Sequence, residues 1–312
     1  MKSISIFFVL LGTLSVQAQI RYLEEIFTDD ELVQTEFIYS NGPTEHFDNI
    51  EVNAYTFRNP DDDDIIKPVV IVIAGNGFPI EALAGNARSF ARMGYLPIVC
   101  NFRSTLDTLP TVKSEAYYAR ETYRGVQDLN ALYRYIAENV IELKANKNLI
   151  FISAASIGAA TAMHSVTTGL TDEYGLGPID SFGVATTKSY KVRAVQCYKG
   201  AVLTEVTDWI PMQFLHGSCD ETVPIDERYL KSEPELNYLY GPLTIIPQLI
   251  AEDVKFEAFF TCGGNHFTAL FPDGEIEKLG AEFFVRIMRN RTLRGIEIIE
   301  LLDEDCGLPF CD

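Results

Sequence analysis

The stretch NLIFISAASIGAATA, residues 148–162, decides the predicted fold. Its first half is a run of apolar and β-branched residues typical of a buried strand, and small residues then lead into an alanine-rich helix start. Ser156 stands at the corner between them. A serine on so tight a turn needs small residues two positions before and after it, because a larger side chain would collide with neighbouring backbone. Ala154 and Gly158 meet this requirement, although small residues at strand ends also occur wherever a helix packs on a parallel sheet.

Strand and helix patterns alternate on both sides of this corner. Two segments of alternating apolar and polar residues come first, and fully apolar strands then alternate with amphipathic helices. The predicted strands are residues 31–40, 50–58, 67–74, 95–100, 192–202, 212–216 and 255–261, and the predicted helices are about 79–93, part of 114–140, 157–168 and 276–290. The sequence therefore predicts an α/β fold in one domain, residues 19–290. Its central sheet is mostly parallel, with antiparallel N-terminal strands and helices on both faces.

Residues 1–18 are predicted to be a secretory signal. Lys2 precedes an apolar run, residues 4–11, and the small residues Val16 and Ala18 flank Gln17 as in a cleavage site, so cleavage is expected after Ala18. The apolar run is too short to span a bilayer comfortably. We therefore expect a secreted or periplasmic protein with no stable membrane insertion. The role of the C-terminal tail, residues 291–312, is left open.

The composition is that of a soluble globular protein, with 47% hydrophobic and 22% charged residues among 312. The formal net charge is −19, and loss of Lys2 with the signal would make it one unit more negative. Nucleic acid and anionic membrane surfaces would be repelled, which argues against both as partners.

Four of the six cysteines fit two candidate disulfides in an exported protein. Cys306 and Cys311 are expected to close a small loop in the tail. Cys219 and Cys262 are expected to link two neighbouring strand ends. One sequence does not determine the connectivity, so other pairings of these four stay open.

No sequence feature suggests a metal or an organic cofactor. Cys100 and Cys197 lie in apolar, strand-like runs and are predicted to be buried thiols. The cysteines and histidines lack the spacing of a metal site. The acidic run at residues 61–64 lacks the spaced oxygen ligands of a calcium loop, so a solvated loop is the simpler interpretation.

A hydrolase serine needs a base within hydrogen-bond reach and an acid that orients the base. The chain has only four histidines. His46 precedes the core strands, and His164 lies about two helical turns beyond Ser156, too far along the helix to reach back. His216 and His266 each follow a predicted strand, at the edge of the sheet where reactive groups of open α/β folds gather.

The position of an acid favours one of these two histidines. Asp220 follows the strand that ends with the first of them, so one loop supplies a carboxylate and the next supplies His266. The order Ser156, Asp220, His266 is that of enzymes with a strand-turn-helix nucleophile. His216, which ends the strand before this loop, then supports the acid loop. Glu221 and Asp226 remain alternative acids.

Catalysis also needs donors for the oxyanion of the tetrahedral intermediate. The backbone N–H of Ile157 opens the helix after the corner and is one candidate. Asn76 and Gly77, in the loop after the strand at residues 67–74, are the others, because glycine lets backbone approach a substrate carbonyl. A glycine-rich loop can also hold phosphate. Neither a Gly-x-Gly-x-x-Gly pattern nor a Walker-type Lys-Ser/Thr pair follows here, which argues against nucleotide binding.

Six segments together resemble the α/β-hydrolases of the esterase and lipase kind, and they occur in that family's order within residues 31–290. They are AGNGF (74–78, the oxyanion loop), GYLPIVCNFR (94–103, the following strand), YRGVQDLNALYRYI (123–136, the helix before the nucleophile), AASIGAATA (154–162, the elbow), LHGSCDETVP (215–224, the acid loop) and GGNHF (263–267, the histidine loop). The chain departs from the family where Ala154 and Asn76 replace glycines and Ala74 replaces a histidine. These departures leave the subfamily open.

The resemblance implies a serine carboxylesterase or lipase-like enzyme that needs no cofactor. Ser156 would attack an ester carbonyl, His266 would take its proton and Asp220 would hold the imidazole. About ten residues separate the strand 192–202 from the next, which leaves no room for a large cap domain at the family's usual insertion point. The expected substrate is a small-molecule or polymer ester, and the acidic charge favours a neutral or cationic ester over a fatty-acid anion.

Two alternative functions remain from the sequence. A secreted peptidase of the same fold would use the same triad, although such enzymes usually carry an added domain that gates access, and none is predicted here. A non-catalytic binding protein could keep the fold, although such proteins tend to lose triad members. Neither the natural ester nor the oligomeric state can be predicted.

Overall fold

Within the described residues, nine strands build the central sheet. The computed structural model describes residues 21–75, 79–106, 117–229, 238–291, 293–300, 306 and 311. The predicted signal lies outside this range. The strands are β1 (Val33–Gly42), β2 (Ile50–Arg58), β3 (Lys67–Ile73), β4 (Leu96–Cys100), β5 (Ala145–Ala155), β6 (Val192–Tyr198), β7 (Met212–Gly217), β8 (Glu227–Tyr229), β9 (Tyr238–Tyr240), β10 (Phe256–Cys262) and β11 (Arg294–Glu300), of which β8 and β9 form a separate hairpin.

The helices connect these strands. They are α1 (Ala84–Arg92), α2 (Arg103–Leu106), α3 (Tyr117–Glu138), α4 (Val140–Leu143), α5 (Ile157–His164), α6 (Pro242–Ala251) and α7 (Glu275–Met288), with 3₁₀ turns at Asp29–Glu31, Pro60–Asp62 and Ile80–Leu83. Within the part of the chain that is described, no helix is long and apolar enough to cross a bilayer.

The strand order in the sheet is β1-β2-β4-β3-β5-β6-β7-β10-β11. β2 pairs antiparallel with both of its neighbours, and the pairs from β4 to β11 are parallel. This confirms the predicted mostly parallel sheet with an antiparallel beginning. Because parallel strands run in one direction, the loops after β3, β5, β7 and β10 all leave from the same edge.

Helices cover both faces of the sheet, which is why β3 is buried along its whole length. Alternate residues of a strand point to opposite faces. Ile71 therefore belongs to the core formed with α3, α5 and α6, whereas Val72 belongs to the core formed with α1 and α7. The two cores pack against opposite faces of the strands that carry the site.

The sheet extends beyond the predicted domain end at residue 290. β11 pairs in parallel with β10, so part of the predicted tail is a ninth strand of the same sheet. Its direction returns the chain to the edge at which β7 and β10 end.

The predicted disulfide pairing is wrong. Cys306 is bonded to Cys219 and Cys311 to Cys262, so neither Cys306–Cys311 nor Cys219–Cys262 forms. The reason is β11, which brings the end of the chain beside the loops after β7 and β10, where each tail cysteine meets a loop cysteine.

The prediction of two buried thiols is confirmed. Cys100 ends β4 and Cys197 lies in β6, and both are unpaired and buried. Burial raises the pKa of each thiol, because the interior disfavours the thiolate. Both act as small apolar side chains of the core.

Candidate active site

Ser156 alone makes the turn between β5 and α5. β5 ends at Ala155 and α5 begins at Ile157. Ser156 has φ 56° and ψ −128°, a backbone conformation that residues other than glycine rarely adopt. Its amide donates to the carbonyl of Tyr198 in the neighbouring strand at 2.9 Å. The sheet and the helix thus hold a strained corner that presents the hydroxyl at the sheet edge.

The structure explains the small residues around this serine. A Cβ on Gly158 would lie 2.3 Å from the carbonyl oxygen of Ala74, so a side chain there would push the neighbouring loop away. Ala154 is buried, and its methyl group packs in the core beside α3 and α5. The position two before the serine therefore accepts alanine, whereas the position two after it requires glycine.

The structure brings together the three predicted catalytic side chains. Ser156 Oγ lies 3.0 Å from His266 Nε2, and His266 Nδ1 lies 2.7 Å from Asp220 Oδ2. Asp220 is 2% exposed, and its other carboxylate oxygen accepts from the amides of Thr222 at 3.0 Å and Val223 at 2.8 Å. These bonds fix the carboxylate, which in turn orients the imidazole toward the serine.

The acid loop and the histidine loop touch through their backbones. The amide of Cys219 donates to the carbonyl of Gly264 at 2.8 Å, and the amide of Gly263 donates to Ser218 Oγ at 2.9 Å. A Cβ on Gly217 would lie 2.2 Å from Gly264 O, so only glycine allows this approach. The glycines of both sequence segments therefore set the distance between the acid and the base.

The alternative bases and acids occupy other positions. His216 is fully buried, and its Nε2 donates to the carbonyl of Val223 at 2.8 Å and lies 3.5 Å from Asp220 Oδ2. Burial lowers its pKa, so it supports the acid loop as a neutral side chain. Asp226 pairs with Arg228.

His164 also lies away from the serine. It is buried, and its Nε2 accepts from the amide of Leu203 at 3.0 Å. Burial lowers its pKa to about 4, because the interior disfavours the imidazolium.

Two of the three predicted oxyanion donors, Asn76 and Gly77, lie outside the described residues. The third, Ile157, is the first residue of α5, where an amide has no partner inside the helix. Sequence reasoning missed Gly75. A Cβ there would lie 2.9 Å from the Cβ and 3.3 Å from the Oγ of Ser156, so the loop backbone passes directly over the hydroxyl. The first glycine of the AGNGF segment could have indicated this close approach, because glycine lets backbone come near a neighbouring group.

Lys199 is a second residue that the sequence did not single out. It follows β6, adopts φ 54°, and is 5% exposed. Its Nζ donates to the carbonyls of His266 and Thr268, each at 2.7 Å. Burial lowers its pKa to about 8. These two hydrogen bonds connect the histidine loop to the end of β6. A lone lysine after an apolar strand is not a sequence pattern that predicts this role.

A cavity of about 640 Å³ opens beside Ser156 and His266. This is within the range of about 300–1,000 Å³ that is usual for small-molecule sites. Much of the wall is apolar or aromatic: Leu83, Tyr118, Leu203, Val223, Leu239 and Phe267. Polar side chains also line it, among them Ser153, Asn86 and Glu277. Across the described ranges, no three His, Cys, Asp or Glu side chains converge as a metal site requires.

Comparison with known proteins gives a structural likeness. No protein-family profile matches the chain, and no curated protein does. The propionate-bound structure of esterase 2 from Thermogutta terrifontis aligns at 16% identity with a TM-score of 0.57, covering 81% of this chain and 94% of that chain. The same esterase phosphoramylated by tabun (16% identity) and phosphorylated by paraoxon (15%) aligns with the same TM-score and coverage. At such identities the likeness shows a shared fold.

Proposed function

The chain has the α/β-hydrolase fold, and from this fold and the site we propose that it is a serine hydrolase of carboxylic esters. The observation that carries the proposal is the continuous chain of hydrogen bonds from Ser156 Oγ through His266 to Asp220. A serine hydroxyl is a weak nucleophile unless a base takes its proton, and this arrangement supplies the base and its orienting acid.

The proposed reaction is acyl transfer to water in two steps. Ser156 Oγ attacks the ester carbonyl while His266 Nε2 accepts the hydroxyl proton, and the imidazolium then protonates the leaving alcohol. Water, deprotonated by the same imidazole, attacks the acyl-serine and releases the acid. Asp220 accepts from Nδ1 throughout and stabilises the imidazolium.

Backbone amides would stabilise the oxyanion of each tetrahedral intermediate. The amide of Ile157 has the advantage of the helix N-terminus, whose dipole favours negative charge. The loop at Gly75 passes over the hydroxyl, which supports donors from the same loop, and Asn76 and Gly77 are the residues proposed there. The strained φ of Ser156 keeps its hydroxyl in place without rearrangement during the reaction.

The neighbouring structures support the ester class. The Thermogutta esterase is described with propionate bound and with covalent organophosphate adducts. By analogy, we expect short acyl chains to fit the cavity here.

Export to an oxidising compartment is proposed with the function. The two disulfides support it, because such bonds persist mainly in secreted and periplasmic proteins. The N-terminal signal pattern supports it independently. N-terminal sequencing of the protein recovered from culture medium or periplasm tests it, and a chain that still begins at Met1 there would contradict cleavage after Ala18.

An acyl-chain panel tests the enzymatic proposal. The mature protein should hydrolyse p-nitrophenyl esters. A panel of acyl chains from acetate to decanoate measures which chain length it prefers. Ser156→Ala should lower kcat/KM at least about 10⁴-fold, because it removes the nucleophile. Ser181→Ala, at an exposed loop serine, is the matched control and should keep the wild-type rate.

The outcomes separate the alternative functions. Undiminished hydrolysis by Ser156→Ala would refute the mechanism. Faster cleavage of aminoacyl amides than of esters would indicate a peptidase with the same triad. A fluorophosphonate probe should label the wild type at Ser156, and a folded wild type that is not labelled would indicate a binding protein.

A further inference from the structure

Glu277 is a buried carboxylate in the wall of the cavity that contains Ser156. It is 4% exposed and lies in the first turn of α7. Acidic side chains are rarely buried without a cationic partner. Glu277 accepts a hydrogen bond from the Asn86 side-chain amide, and within the described residues no lysine or arginine pairs with it. Its negative charge is supported by the N-terminal end of α7 and has acceptor capacity left for a ligand.

Two buried amide side chains fix the turn that carries Glu277. Gln196 Nε2 donates to the carbonyl of Ile276 at 2.7 Å, and Gln213 Nε2 donates to the carbonyl of Leu279 at 3.1 Å. A Cβ on Gly280 would lie 2.7 Å from Gln196 Oε1, so glycine lets the helix lie directly on this amide. The carboxylate therefore stands on a rigid part of the wall and not on a loop.

The polar groups around Glu277 favour a donor. Ser153 Oγ donates its only proton to Gln196 Oε1 at 2.8 Å, so toward the cavity it offers lone pairs. Lys199, the one lysine that lines the cavity among the described residues, donates to two carbonyls of the histidine loop. Glu277 and Ser153 thus present acceptors to whatever occupies this part of the wall.

The spacing connects this part of the wall to the reacting carbonyl. Ser153 lies on β5 three residues before Ser156, and three residues span about 10 Å at the usual rise of a strand. A chain of about five bonds between a carbonyl carbon and a nitrogen spans roughly 6 Å, and a hydrogen bond of about 3 Å completes the distance. One substrate can therefore reach from the hydroxyl to Ser153, which Gln196 joins by hydrogen bonds to Ile276, the residue before Glu277 in the same cavity wall.

We propose that Glu277, with Ser153 in the same part of the cavity wall, forms a subsite that recognises an ammonium group of the ester substrate. The inference rests on the proposed ester hydrolysis and deepens it by naming a substrate class: esters with a primary amine a few atoms from the carbonyl. A buried carboxylate and a hydroxyl oxygen accept from the three protons of an ammonium ion. The protein's net charge of −19 also attracts cationic substrates.

The test compares cationic esters with neutral esters of the same shape. Ethyl 5-aminopentanoate is paired with ethyl hexanoate for an amine in the acyl part, and 4-aminobutyl acetate is paired with pentyl acetate for an amine in the alcohol. Blank-corrected kcat/KM values, measured by pH-stat, give a ratio for each pair. At least one ratio should exceed about 10 in the wild type, and Glu277→Gln should lower it about 10- to 100-fold, as expected when a charged hydrogen-bond partner is lost.

Glu282→Gln is the matched control. It removes the same charge from an exposed position of the same helix, so the ratio should stay within about twofold of wild type if charge at a distance is screened. Glu277→Asp, which shortens the side chain and keeps its charge, should retain part of the preference. It also provides a second variant if Glu277→Gln does not fold.

Two results would overturn the subsite: wild-type ratios near 1 for both pairs, or a ratio that is unchanged in Glu277→Gln. Calorimetric titration of pentylammonium into Ser156→Ala, with and without Glu277→Gln, gives a readout that needs no catalysis. Binding lost with Glu277→Gln supports the subsite even if Ser156→Ala still hydrolyses esters and the proposed mechanism fails. Equal binding to both proteins contradicts the subsite alone.

Discussion

The two disulfides should stabilise the loops that carry the proposed acid and base. Cys219 directly precedes Asp220, and Cys262 ends β10 four residues before His266. Both bonds lead to the tail beyond β11. The perturbation is the removal of each bond with both of its cysteines, Cys219→Ser with Cys306→Ser or Cys262→Ser with Cys311→Ser, so that no unpaired thiol is left to form another bond.

The loop lengths give the magnitude. The bonded cysteines are 87 and 49 residues apart, and chain entropy predicts a stabilisation of about 4 to 5 kcal/mol for each bond alone. The two loops overlap in sequence, so the joint effect is smaller than the sum. Removal of a native disulfide typically costs about 2 to 5 kcal/mol, and we expect each double variant in this range.

Urea unfolding followed by the fluorescence of Trp209, the single tryptophan, measures this loss. We also expect kcat to fall more than KM changes, because a displacement of about 1 Å between catalytic groups can cost about 100-fold in rate. A reducing agent should destabilise the wild type and leave a variant without either bond unchanged. A double variant that unfolds at the wild-type urea concentration would refute the reasoning.

Three further changes test the supports of the site. Lys199→Met should lower kcat with little change in KM, because the histidine loop loses two hydrogen bonds. Relative to Lys199→Met, the wild type should also gain up to about 3 kcal/mol of stability as pH rises from about 8 to 10.5, since the folded lysine releases its proton first. Asp128→Ala should lower the free energy of unfolding by about 3 to 5 kcal/mol, since it leaves the buried guanidinium of Arg103 unpaired. Gly158→Ala should reduce both stability and activity, because its methyl group would lie 2.3 Å from Ala74 O.

Each of these predictions has its own control. Lys199→Arg keeps donors and should restore part of the rate. A stability difference between the wild type and Lys199→Met that stays constant above pH 8 would contradict the lowered pKa of the lysine. Lys188→Met, at an exposed lysine, should leave kcat unchanged. Glu138→Ala is the control for Asp128→Ala. It removes one partner of a partly exposed ion pair and should lower the free energy of unfolding by less than about 1 kcal/mol. Wild-type activity in Gly158→Ala would show that the loop can move without loss.

The sequence predicted the parts of the site that depend on local pattern. The apolar runs within β3 and β5 could be recognised as central strands, and the order of strands and helices placed the loops of Asp220 and His266 at one edge. Ser156 could be recognised because a strained turn restricts its neighbours to small residues. Each of these signals lies within about ten consecutive residues.

The parts that were missed depend on tertiary placement. Glu277 and Lys199 are ordinary residue types, and their interest comes from burial beside a cavity that other segments complete. The disulfide pairing depended on β11, whose direction returns the tail to the loops. Spacing along the chain favoured the short Cys306–Cys311 loop, but distance in the fold decides which cysteines meet.

The two sides of the proposed triad are held by different means. Ser156 lies between β5 and α5, whose backbone hydrogen bonds hold it from both directions. Asp220 and His266 lie on loops after strands, where hydrogen bonds, glycine contacts and the tail disulfides take the place of a helix.

Reduction should therefore loosen one side of the site before the other. Amide hydrogen exchange, measured by mass spectrometry, should speed up in residues 218–224 and 262–268 of the reduced protein and stay slow in residues 150–162, because local opening follows local contacts. Uniform acceleration across all three segments would mean that the disulfides stabilise the whole domain and not these loops. No change in the two loops would mean that their hydrogen bonds and glycine contacts suffice without the tail.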